Sequence, residues 1–122
     1  MGEDFQASKP IYMQIVDKIT SEIVQGKRQT GDKLPSVREM AVQMGVNPNT
    51  VQRTYAELER LNIVETRRGQ GTFVSDNKDL TEELGRNMQD EIIQSFIQKM
   101  EEIGVDRKQL VALLQQYLGE GQ

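Results

Sequence analysis

The run Leu34-Pro35-Ser36-Val37-Arg38-Glu39-Met40-Ala41-Val42-Gln43-Met44-Gly45-Val46-Asn47-Pro48-Asn49-Thr50-Val51-Gln52-Arg53-Thr54-Tyr55 holds two helix starts and one helix stop. Ser36-Val37-Arg38-Glu39 has the form of a capping box: the Ser36 hydroxyl takes a backbone N–H and the Glu39 carboxylate reaches back. The helix it opens turns Val37, Met40, Ala41 and Met44 to one side, and Gly45 supplies the turn that ends it. Asn47-Pro48 starts a second helix by another device, an Asn cap followed by Pro at the first helical position. Val51, Tyr55, Leu58 and Leu61 give that helix an inward stripe. Asn49, Thr50, Gln52 and Arg53 are left at or near its exposed N-terminal end. Two short helices joined in this way form a helix-turn-helix, whose second helix can offer its first turn to the major groove of DNA.

On the N-terminal side, Ser8-Lys9-Pro10 reads as a helix start, with Ser8 as cap and Pro10 in the first turn. Ile11, Ile15, Ile19 and Ile23 recur every four residues with Val16 alongside, Gly26 suits the C-terminal cap, and residues 27–33 read as a loop. On the C-terminal side the period changes after Asn62. Ile63-Val64-Glu65-Thr66-Arg67 and Thr72-Phe73-Val74-Ser75 are short and β-branched, and Arg68-Gly69-Gln70-Gly71 between them makes a hairpin with a glycine-rich tip. Three helices and then a hairpin is the order of a winged helix. After a polar connector over residues 76–79, Leu80, Leu84, Met88, Ile92, Phe96 and Met100 follow a four-residue spacing, widened by Ile93, Ile97 and Ile103. Gly104 breaks the pattern, and Asp106 caps a last helix carrying Leu110, Leu113, Leu114, Tyr117 and Leu118. Residues 119–122 are expected to fray. The expected fold is mainly α with a small β-hairpin: a winged helix-turn-helix over residues 9–76, then a two-helix dimerisation tail over residues 77–122.

The 122 residues suffice for one small domain and an appendage. Without Cys there is neither a disulfide framework nor thiolate chemistry, and without His the commonest general base and metal ligand are missing. No metal site, cofactor or catalytic set is expected, and the reading is of a protein that is not an enzyme. The N-terminus is acidic and polar, unlike a signal peptide, and no apolar run approaches a membrane span, so a cytoplasmic protein is expected. The net charge of −4 looks wrong for a nucleic-acid binder. It is unevenly spread: residues 1–76 hold 10 basic and 10 acidic side chains, residues 77–122 hold 5 and 9. The acidity belongs to the tail. Arg38, Arg53, Arg67 and Arg68 sit where a winged helix-turn-helix faces DNA.

Leu34-Pro35-Ser36-x-Arg38-x-x-Ala41, Gly45-Val46-Asn47-x-x-Thr50-Val51 and Gly69-x-Gly71-Thr72-Phe73-Val74 together resemble the DNA-binding domain of the GntR family of bacterial transcription regulators. The short remainder, with Asn47-Pro48-Asn49-Thr50-Val51-Gln52, is similar to the YtrA subfamily. That resemblance implies a tail that mediates dimerisation and target genes that are often transport operons. It carries DNA contacts onto Arg38, onto Asn47, Asn49, Thr50 and Gln52, and onto Gly69 at the wing tip. Many members have Arg where this chain has Pro48 and Gln52. Gln pairs with adenine N6/N7 whereas Arg prefers guanine O6/N7, so the base preference is expected to be this chain's own.

Arg53 shares the recognition helix with these residues, and Arg67 and Arg68 flank the tip, where a narrow minor groove attracts Arg. Each has an alternative: Arg38 paired with Glu39 or Glu57, and the hairpin charges serving solubility and edge protection. The stripe Leu84, Met88, Ile92, Phe96, Met100, Leu110 and Leu114 needs a partner. A second copy is expected to supply it, the alternative being the chain's own winged domain. No effector is identified; a tail pocket would be apolar, with Tyr117 as its polar handle. The whole points to a homodimeric repressor of its own or a neighbouring operon, bound to double-stranded DNA at a near-palindromic operator. The competing reading is a winged-helix protein-interaction module without DNA binding.

Overall fold

Isoleucines four apart close one face of helix α1, Ile11–Val24, the first element of a computed structural model that describes residues 8–119. The N-terminal leader reading (apart from Ser8 and Lys9) and the fraying expected at residues 120–122 lie outside the described residues. Ser8 does not cap α1. The helix begins one residue after Pro10, whose carbonyl accepts from Met13 and Gln14 N–H. Ile15, Val16, Ile19 and Ile23 are buried, but Ile11, on the first turn, is 44% exposed. Helices α2 (Val37–Met44) and α3 (Pro48–Arg60) follow, then strands β1 (Val64–Arg67) and β2 (Gly71–Val74), and helices α4 (Lys78–Glu102) and α5 (Arg107–Leu118). The expected order is the observed one.

The capping box of α2 is formed in both directions: Glu39 N–H donates to Ser36 Oγ at 3.1 Å, and Ser36 N–H donates to Glu39 Oε1 at 2.9 Å. The Ser36 backbone N–H, and after it the Ser36 hydroxyl, hold the Glu39 carboxyl below the ordinary Glu value of 4.5. A carboxylate with a lowered folded-state pKa stabilises above the unfolded value, and that contribution disappears as pH falls through the folded one. Ser36→Ala is expected to cost about 1 kcal/mol. Thermal melts at pH 7 check that cost, and the wild-type lead over the variant shrinks below pH 4.5.

Gly45 ends α2 with φ of +68°, which brings Val46 N–H onto Ala41 O at 3.0 Å. Asn62 closes α3 in the same left-handed way at φ +64°, with Ile63 N–H on Leu58 O at 2.9 Å. Such closures satisfy the last carbonyls of a helix and turn the chain sharply. Leu61, assigned from its spacing to the inward stripe of α3, lies at this end and is 40% exposed. Thr54 takes the buried place instead, its hydroxyl bonded to Thr50 O and Tyr12 O.

β1 and β2 pair antiparallel, Val64 opposite Val74 and Arg67 opposite Gly71. Residues 31–34, read from sequence as loop and its flank, lie along β2: Leu34 N–H donates to Thr72 O at 2.8 Å and Val74 N–H to Asp32 O at 2.7 Å. Lys33 and Phe73 form an isolated antiparallel bridge between these bonds. Leu34, Met40, Met44, Val51, Leu58, Ile63, Val64 and Val74 join the α1 residues in one core.

The chain divides into two compact units, one ending at Gly85 and the other beginning at Arg86. The first turns of α4 belong to the winged unit: Leu84 packs against its core, and a Cβ on buried Gly85 would lie 3.4 Å from Val24. In the second unit Asp106 forms the cap read from sequence, a full box with Gln109 at the start of α5. Leu110 is buried there, whereas Ile92, Ile93, Ile103, Val111, Tyr117 and Leu118 are exposed.

Candidate nucleic-acid interface

Asn47 uses its side-chain oxygen on its own backbone: Oδ1 accepts from Asn49 N–H at 2.8 Å, and its main-chain carbonyl accepts from Thr50 N–H at 2.9 Å. With Pro48 lacking an N–H, the first turn of α3 is closed locally, and side chains are its outward donors. Asn47, Asn49, Gln52 and Arg53 are exposed and Thr50 is half-buried. Thr54 and Tyr55 set the roll of α3. Thr54 ties it to α1, and the Tyr55 hydroxyl donates to Pro35 O at 2.6 Å, which holds it to the segment entering α2.

Tyr55 lines a cleft of about 380 Å³ together with Ser36, Val37, Gln70 and Thr72. Burial pushes its phenol up to about 12. Tyr55→Phe leaves the Pro35 carbonyl without this donor and is expected to cost roughly 1–2 kcal/mol. Because the folded pKa is raised, the stabilisation is fully present below pH 10 and is lost as pH rises towards 12. Denaturant melts between pH 8 and roughly 11 test both the cost and its alkaline decline.

The arginines are not equivalent. Arg38 is exposed, and both carboxylates that could pair with it are engaged elsewhere, Glu39 in the capping box and Glu57 on Arg60 Nε at 3.0 Å. Arg38 forms no ion pair among the described residues. The Glu57 carboxyl is held below the usual carboxylate range by its bond to Arg60. Arg53 stacks over the Tyr12 ring, 4.0 Å from its centroid. Arg67 lies 4.2 Å from the Phe73 centroid, with Asp76 at 3.4 Å and Glu65 at 3.6 Å. Its charge is largely answered within the wing. Arg68, beside it, is exposed and has no ion pair among the described residues. Gly69 stands at the tip with φ of +76°, inside the four-residue turn closed by Gln70 N–H on Arg67 O.

The structure thus brings Arg38 and the start of α3 together on the helix-turn-helix and puts Arg68 and Gly69 at the end of the hairpin. Sequence reasoning missed Tyr12, whose place in the first turn of α1 carried no signal of contact with α3. It also missed Lys33, the exposed residue that bridges to the wing. Among the described residues no group of three or more acidic, His or Cys side chains could hold a metal, and no helix is long and apolar enough to cross a membrane.

Comparison with known proteins agrees in fold and family. The family model for bacterial regulatory proteins, gntR family, matches residues 11–74. The HTH-type transcriptional regulator YhcF of Bacillus subtilis is 50% identical over 111 residues, 91% of this chain and 92% of that protein. The HTH-type transcriptional repressor YtrA of the same organism is 49% identical over 78 residues, 64% of this chain and 60% of that protein. A GntR family transcriptional regulator from Listeria monocytogenes superposes with a TM-score of 0.85 at 42% identity, covering 92% of this chain and 98% of that one. The DNA-binding domain of AraR, solved in complex with its operator ORX1, gives a TM-score of 0.54 at 28% identity, covering 62% and 93%.

Proposed function

The chain belongs to the GntR family of bacterial regulatory proteins, within its short YtrA-like subfamily, and from that membership we propose that it is a homodimeric, sequence-specific repressor. A transcription regulator with a DNA-binding winged helix is established by the family; its mode of action is the proposal. The division of labour is residues 9–76 for DNA and the tail within 77–122 for dimerisation, in the cytoplasm. The observation that carries the DNA reading is Arg38: an exposed cation of the helix-turn-helix with no ion pair among the described residues, the adjacent Glu39 carboxylate being held in the capping box. An unanswered charge there is what phosphate attracts. Asn49 and Gln52 read base edges from the open side of α3, Asn47 and Thr50 take phosphate beside them, and Arg68 and Gly69 follow the minor groove. The complex of the AraR domain with its operator and the repressor name of YtrA support this assignment.

The apolar faces of α4 and α5 support the dimer. Ile92 is 65% and Tyr117 85% exposed in the single chain, in a pattern that repeats along both helices. Exposed apolar area on this scale marks an interaction surface. Met88, Ile92, Phe96, Met100 and Leu114 face the partner; Leu84 is taken by the winged core and Leu110 is already buried in the single chain. Two recognition helices then meet half-sites about one helical turn apart, and occupancy over a promoter blocks transcription. Run-off transcription from the promoters of its own and the neighbouring operons tests this. Protein-dependent loss of transcript from a template carrying a near-palindrome is expected; Arg38→Ala with Thr50→Ala restores it. Transcription insensitive to the protein on every template overturns the repressor, and binding to a protein partner unaffected by those substitutions would mark an interaction module instead.

A further inference from the structure

Three of the four arginines in α3 and the wing have a partner or a platform, and the way each is held bears on what it can do. Arg60 is bonded to Glu57, and Arg67 has two carboxylates, so their charges are answered. Arg53 rests on a neutral ring, with its guanidinium 4.0 Å from the centroid of Tyr12. A ring quadrupole attracts a cation without cancelling its net charge. The guanidinium is thereby restrained without a carboxylate bonded to it, the nearby Glu57 being hydrogen-bonded to Arg60. The platform is itself fixed, because Thr54, one residue after Arg53, bonds the main-chain carbonyl of Tyr12 at 3.2 Å.

We infer that Tyr12, which lies outside the helix-turn-helix, is a positioning residue that aims Arg53 at a DNA phosphate. The inference rests on the DNA-binding reading above and deepens it. The inward residues Val51, Thr54, Tyr55 and Leu58 define the buried side of α3. With about 100° between successive residues, Gln52 and Arg53 leave the helix on opposite flanks of the outward crest. Tyr55, on the flank of Gln52, is tied to the chain before α2; Thr54, on the flank of Arg53, is tied to α1. Arg53 leaves the helix nearer that crest than Gln52 does, and the Tyr12 ring draws its guanidinium back towards the α1 flank. There it meets the backbone at the groove edge, while Gln52 and Asn49 are left to read bases. A restrained arginine loses less side-chain freedom when the phosphate arrives, which is the advantage of the platform.

The test is operator binding by fluorescence anisotropy across a salt series, with the full chain and four variants. Arg53→Met should weaken binding to operator and to unrelated DNA alike, and lower the steepness of log K against log salt by about 0.9, one phosphate contact. Tyr12→Leu should weaken operator binding roughly two- to fivefold, whereas Tyr12→Phe, which keeps the ring, should bind as wild type. In the Arg53→Met background Tyr12→Leu should add no further loss, because its effect passes through Arg53. A Tyr12→Leu loss of the same size in both backgrounds means a merely structural role and overturns the inference. So does an Arg53→Met effect confined to one base position. Wild-type protein that binds no DNA overturns the functional reading itself, and is distinguished from these outcomes because they all require wild-type binding.

Discussion

Ile92→Asp combined with Leu114→Asp is expected to turn the dimer into a folded monomer and to weaken operator binding by about 10²–10⁴-fold. Ile92 is 65% exposed and Leu114 is partly so, so neither substitution removes a buried core residue of the single chain. In a two-fold interface each substitution counts twice. Each lost apolar burial costs roughly 1.5–3 kcal/mol, and carboxylates replace the lost contacts in a tail that is already acidic. The loss at the operator is larger than the loss of any single DNA contact because it removes the linkage between two half-site readers. Sedimentation equilibrium and anisotropy on one operator check both parts. The winged unit, whose core from Ile15 to Val74 is untouched, should retain its own thermal transition. An unchanged mass with unchanged affinity would place the dimer contact elsewhere. A wild-type chain that is monomeric at micromolar concentration would remove it.

Gln52→Arg is expected to change which base is preferred at one position of each half-site. Gln52 is exposed on α3, one turn in from the Asn47 cap, and its side chain forms no hydrogen bond among the described residues. A glutamine amide matches adenine, one donor and one acceptor against N7 and N6; a guanidinium matches guanine, two donors against O6 and N7. A good bidentate pair discriminates by about 1–3 kcal/mol, so the ratio of affinities for G over A at that position should move by roughly 10–100-fold. The symmetric partner position should move with it. Selection from a randomised operator, wild type against variant, measures the change directly. A preference that stays the same at every position would take Gln52 off the base-reading face.

Much of this site was legible because caps are local chemistry. Ser36, Glu39, Asn47, Pro48 and Asp106 each act within three residues of themselves, and the structure forms each cap. Spacing alone placed Val51, Tyr55 and Leu58 correctly, and failed at helix ends: Ile11 and Leu61 keep the period but lie where the helix has no neighbour to bury them. The pairing of residues 31–34 with β2 has a single bridge and hence no alternation to detect. Leu84 and Met88 share one four-residue repeat, yet Leu84 packs against the winged core and the compact units divide immediately after Gly85. A repeat states that a face is apolar and leaves open what covers it. The arginines show the same limit. Arg53 and Arg67 look alike in sequence, and are separated by Tyr12, distant along the chain, and by the carboxylates of Glu65 and Asp76.

In the proposed function two winged units, joined by their tails, read DNA through α3. Its most direct measurement is the binding of the purified dimer to fragments from upstream of its own operon, repeated from low to physiological salt. One or more fragments with a near-palindrome should be bound by one dimer, with log K falling linearly as log salt rises and a slope of about −0.9 for each phosphate contacted. A folded dimer that shows no salt-sensitive binding to any of those fragments would contradict it.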